Sequence, residues 1–184
     1  MKTPSADEIL SAVQKWVRSV VVDLNLCPFA KRELATDRIR FVLSEATLPE
    51  QLLMRLQDEL ELLERNSDIE TTVLVHPQIL QKFDDYNQFL ELGDGLIKQL
   101  GFEGVFQIAS FHPNYQFAGT ETNDPENYTN RSPYPLLHIL REASLSVAID
   151  SYPDVDQIPD RNIALMNEMG QTKMQALLEA CTED

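Results

Sequence analysis

Glycine is scarce. Six glycines stand among 184 residues, and neither G-x-G-x-x-G nor G-x-x-x-x-G-K-[ST] can be written from them, which excludes the common phosphate-cradling loops. Cysteine is scarcer: Cys27 and Cys181 lie far apart and outside any paired motif, so neither a disulfide scaffold nor a thiolate metal site is expected, and the default is two free thiols. The three histidines, His76, His112 and His138, form no His-x-His or His-Glu-x-x-His spacing. Bases are outnumbered by acids, 15 against 30, for a formal charge of −15. Nucleic acid and anionic membrane surfaces attract basic patches, so neither is an expected partner. No run approaches the roughly 20 apolar residues of a membrane helix. Val20-Val21-Val22 is cut by Asp23 and Asn25, and the amino terminus shows no basic head feeding an apolar stretch. The expectation is a cytoplasmic protein without a signal peptide.

What is present is an ordinary globular composition, 43% hydrophobic and 24% charged, in a length suited to one domain over residues 1–184. The charge is uneven. Residues 1–40 hold seven bases against five acids, while the rest of the chain carries the whole acid excess. A basic cluster around Cys27 favours a local anion within an acidic molecule.

Helix starts are well marked. Ser5-Ala6-Asp7-Glu8 has capping-box spacing, followed by Ile9, Val13, Trp16, Val17, Val20 and Leu24 at helical period. Thr47-Leu48-Pro49-Glu50 precedes Leu53, Leu56, Leu60 and Leu63. A third helix begins near Asp85 and ends at Gly101. Ser132-Pro133 has the cap-then-proline order of a fourth, before Leu136, Leu137 and Leu140, and Pro159-Asp160 opens the last. Between them, residues 39–44, 69–75, 105–111 and 145–150 read as strands. Alternation of this kind predicts a three-layer α/β domain with a four-stranded, largely parallel, otherwise mixed sheet and about five helices. A ferredoxin-like α+β sheet is the alternative.

Three predicted strands exit alike: Val75-His76-Pro77, Phe111-His112-Pro113, and Ile149-Asp150 shortly before Pro153. In a parallel sheet these exits share the carboxyl edge, where open α/β folds place ligands. His112 is the candidate acid/base, with His76 or Asp150 orienting it. Cys27, with Lys31 and Arg32 nearby, is a candidate nucleophile whose competing reading is a small buried hydrophobe. The stretch from His112 to Pro133 has neither helical nor strand period, and loops of that length are commonly functional. It carries Tyr115, Phe117, Tyr128, Asn123, Asn127 and Asn130. Arg131 and Ser132 stand at the predicted helix entry, where backbone N–H groups and a guanidinium attract anions; the competing reading is an Asx or Ser helix cap with Arg131 solvated or in a structural ion pair. Tyr115, Asn130, Arg131 and Ser132 are therefore candidate ligand contacts. His138 reads as a satisfied core histidine.

Three segments resemble the signature stretches of a bacterial family of unknown function, domain-of-unknown-function family 1415. They are Leu24-Asn25-Leu26-Cys27-Pro28-Phe29-Ala30, Phe111-His112-Pro113-Asn114-Tyr115-Gln116-Phe117, and Asn130-Arg131-Ser132-Pro133-Tyr134-Pro135-Leu136-Leu137-His138. The resemblance covers essentially the whole chain and implies a stand-alone bacterial protein of about this length, with no assigned activity, cofactor or catalytic residue. From the residues themselves, the first expectation is an enzyme acting on a small anionic metabolite beneath the 112–133 loop. A second is an adaptor docking a basic partner on the acidic face of the 49–66 helix, through Asp58, Glu59, Glu61 and Glu64. A third is a metal-dependent enzyme or metal carrier using His76, His112 and Asp150.

Overall fold

The computed structural model describes residues 3–183; Lys2, counted in the amino-terminal charge, lies outside them. It shows a mixed α/β fold built on an open four-stranded sheet, with seven α-helices among the described residues. The strands are β1 (Ile39–Leu43), β2 (Thr71–Val75), β3 (Phe106–Phe111) and β4 (Leu136–Arg141), in the order β1-β2-β4-β3. β1 and β2 are parallel, and β4 runs antiparallel to both β2 and β3. The first three strands therefore share one direction, as the alternation predicts, but the fourth reverses it.

Helix α1 (Ala6–Trp16) starts on the expected reciprocal Ser5–Glu8 capping box. It runs directly into a π-helical turn, Val17–Val22, and then α2 (Ala30–Ala35) follows. Helix α3 (Pro49–Arg65) is capped by Gln51, whose Oε1 accepts the Thr47 and Leu48 N–H groups at 2.9 and 3.2 Å. Helix α4 (Phe83–Gln99) ends at Gly101, where φ of +75° lets the Phe102 N–H reach back to the Ile97 carbonyl. Gly93 sits close against β3: a Cβ there would meet Ile108 Cδ1 at 3.0 Å, so that side chain would have to shift to admit one.

Two expectations near the carboxyl-terminal third are overturned together. Residues 136–141, expected as a helix after Ser132-Pro133, form β4, and residues 145–150, expected as a strand, lie in helix α5 (Glu142–Ser151). A central strand covered on both faces carries apolar residues on both, and a run such as Leu136 to Leu140, broken only by His138, has no period that separates it from a buried helix. α5 follows β4 without a connecting loop and is largely exposed, with Val147 and Ile149 at the surface. The expected last helix is two: α6 (Ile158–Met169) and α7 (Gln171–Ala180), broken at Gly170.

Alternation along the strands divides the apolar residues between two cores. Leu74, Leu137, Ile139 and Phe106 pack with Leu52, Leu56, Leu60 and Leu63 of α3 and with Tyr86, Phe89 and Ile97 of α4. Val73, Val75 and Leu136 pack on the other face with Ile9, Val13, Trp16, Val17 and Val20, and with Met166 and Met174 of α6 and α7. Glu59, counted on the acidic face of α3, is instead buried, paired with Arg40 and Arg55 at 2.8 and 2.7 Å.

Candidate functional site

His76 and His112 do leave β2 and β3 at one edge, and both are fully buried there. They flank Tyr86, with ring centroids 5.8 and 5.1 Å away. The Tyr86 hydroxyl donates to the Leu136 carbonyl and accepts the Phe111 N–H, at 2.8 and 2.9 Å, tying the ends of β3 and β4. His112 spends both ring nitrogens: Nε2 donates to the Leu80 carbonyl at 3.0 Å, and Nδ1 accepts the Asn114 N–H at 3.0 Å. His76 Nδ1 donates to the Ile79 carbonyl at 3.2 Å, while its buried Nε2 has no partner among the described residues. Burial lowers the basicity of both rings, that of His76 to a pKa of about 4. The pair holds the 77–81 turn, in which Leu80 has a φ of +57°.

Asp150 is not with them. Because residues 142–151 are helical, it sits exposed on α5 rather than at a strand exit, and the two-histidine, one-carboxylate constellation does not form. Among the described residues no group of three or more His, Cys, Asp or Glu side chains is arranged to hold a metal ion.

The 112–133 loop is a packed structure. Asn127, fully buried, accepts the Phe117 N–H and the Thr120 hydroxyl at 3.0 and 2.8 Å, and donates to the Glu121 carbonyl at 2.8 Å. Arg131 donates to the carbonyls of Tyr115 at 3.1 Å and Thr122 at 2.7 Å, with its guanidinium 4.6 Å from the Tyr128 ring centroid. Asn130 donates to the Ser110 carbonyl at 3.0 Å, and Ser132 to that of Tyr134 at 2.7 Å. Tyr115 packs between Phe83, tilted at 55°, and Phe117, edge-on at 62°, both 4.9 Å away by ring centroid. The polar groups expected to receive an anion are thus engaged within the loop.

The large cavity lies elsewhere. About 760 Å³ opens on the α1 face of the sheet, floored by Val73, Ala109, Leu136, His138 and Leu140, walled by Trp16, Val17, Val21, Cys27 and Phe29, and covered by Leu145, Val147 and Ala148 of α5. That volume is within the range of drug-sized ligand sites. The π-helical turn supplies Val17 and Val21 to it, and such turns are frequent at functional sites. Arg32, Arg38, Glu33, Glu70 and Arg141 lie on the lining too. Arg38 is paired with Glu33 and Glu70 at 3.4 and 2.8 Å. Arg141 donates to the carbonyls of Leu63, Asn66 and Ile69. Among the described residues Arg32 pairs only with Glu33, at 3.9 Å, and its side chain is 81% exposed, so it marks where the cavity meets solvent.

Cys27 is the one sequence candidate on this wall. Burial pushes its thiol pKa up, opposed by the Phe29 and Ala30 N–H groups, so the protonated form is favoured. His138 was missed as a site residue: expected in a helix core, it projects from β4 into the cavity floor. The available signal was the alternation Leu136-x-His138-x-Leu140, which puts the three on one face only if the segment is a strand.

A protein-family model described as a protein of unknown function (DUF1415) matches residues 8–176. No curated protein and no solved structure matches the chain. Among the described residues no helix is long and apolar enough to cross a membrane.

Proposed function

Since the chain belongs to the DUF1415 family, described only as of unknown function, we propose its role from its own geometry: it binds a small amphipathic anion, with the apolar body in the sheet-face cavity and the anionic end toward Arg32. The single observation carrying this reading is the cavity, whose walls are apolar while the cation at its solvent edge is nearly uncompensated. A small anionic ligand is also the expectation from the strand exits and the 112–133 loop. Its proposed seat moves from the carboxyl edge to the sheet face because Arg131, Asn130 and Ser132 donate to backbone carbonyls and the Tyr115 ring packs between Phe83 and Phe117. Cys27 is the candidate nucleophile for chemistry on the bound molecule, starting as a thiol rather than a thiolate.

Calorimetric titration with decanoate, decanol and decylamine tests this, since the three share a body and differ in head. Decanoate is expected to bind best. Ala109→Phe, from the floor, and Ala148→Phe, from the α5 side, fill the cavity and should each weaken decanoate by about tenfold or more. Arg32→Ala should narrow the preference for the carboxylate by roughly two- to fivefold, as expected of an exposed pair. Undiminished binding in both filled variants would overturn the reading.

A further inference from the structure

We propose that the ligand carries a hydroxyl on its buried end, received by His138 Nδ1; this rests on the cavity reading above and names the class of molecule, an amphipathic hydroxy acid. The tautomer of His138 follows from proton counting. Thr71 Oγ1 donates its only proton to the Ile139 carbonyl and lies 2.7 Å from His138 Nε2. The threonine oxygen can then only accept there, so Nε2 carries the hydrogen. Burial keeps the ring neutral, with a pKa lowered to about 4, which leaves Nδ1 as a bare lone pair. Among the described residues Nδ1 makes no hydrogen bond, and the ring lies in the cavity lining.

A hydroxyl is the simplest uncharged group that offers a proton to that imidazole lone pair. A carboxylate only accepts and leaves Nδ1 unmet. An ammonium would need an acid, and both acids on the lining, Glu33 and Glu70, are held by Arg38. Leaving a buried polar group unpaired is what makes such sites reject analogues lacking the hydroxyl.

The experiment is calorimetry on the full chain with octanoate, decanoate and dodecanoate and with their ω-hydroxy counterparts, so that one length matches the span from rim to floor. At that length the hydroxy acid is expected to bind tenfold or more tightly than its parent, although it is better solvated by water. His138→Phe should abolish or invert this preference. His138→Asn, which can present a carbonyl oxygen near the place of Nδ1, should keep part of it. Tighter binding of the parent at every length, or a preference that persists in His138→Phe, would overturn the hydroxyl assignment and leave the cavity reading intact. Binding of neither series would overturn both.

Discussion

Lowering the pH from about 7.5 to about 5 is expected to remove on the order of 4 kcal/mol of folding stability, well before most carboxylates are protonated. His76 and His138 are responsible. Burial holds each ring neutral in the folded chain, with its pKa lowered from 6.5 to about 4. Unfolding returns each to water. Below pH 6.5 the unfolded state therefore binds more protons than the folded one, so stability falls with pH until the folded value near 4 is reached. Each histidine contributes roughly 2 kcal/mol of that loss by pH 5. His112 is shifted in the same direction and adds to it. Urea unfolding at the two pH values measures the difference, and His76→Leu or His138→Phe should each flatten the dependence by about its own share. A stability unchanged between the two pH values would mean that these rings are not buried neutral groups. Since a domain of this kind is stable by only about 5–15 kcal/mol, the loss is a large fraction of the total.

Replacing Arg131 by Met is expected to destabilise the fold by about 2–4 kcal/mol, against little change for a residue that merely receives a ligand. Two carbonyls, of Tyr115 and Thr122, lose their donor, and Tyr128 loses the guanidinium over its ring. Arg131→Lys should recover only part, because one ammonium cannot reproduce a planar fork that reaches two carbonyls. Hydrogen exchange gives a local readout: the amides of Phe117, Thr120 and Asn127, in the segment that Arg131 and Asn127 fasten, should lose protection first. A loss below about 1 kcal/mol together with abolished ligand binding would instead return the binding site to the carboxyl edge.

Much of the architecture is legible in the residues. The Ser5–Glu8 box, Gly101 as a helix stop, and the β-branched runs that became β1, β2 and β3 are each decided by local chemistry, and the structure retains them. The Ser132-Pro133 signal misleads because the segment after it is covered on both faces. Leu137 and Ile139 enter one core and Leu136 the other, with His138 on Leu136's side of the strand, so apolar residues stand on both faces and one histidine is too little to mark the period. The exchange of strand and helix there also removed Asp150 from the edge and hid His138. That His76 and His112 share an edge follows from the common direction of β2 and β3. That their nitrogens are spent on the 77–81 turn and the Asn114 N–H depends on loop geometry beyond any spacing rule. The cavity is less legible still. Its walls come from the π-helical turn, α2, the sheet and α5, residues distant in sequence that look like ordinary core apolar positions one by one.

Backbone amide chemical shifts during a decanoate titration test most directly whether the sheet-face cavity is the ligand site. The prediction is saturable change concentrated at Val73, Ala109, His138 and Leu140 on the floor and at Val21, Cys27 and Ala148 around it, with Asn127 and Arg131 unmoved. Change centred on residues 112–133, with the floor of the sheet silent, would contradict it.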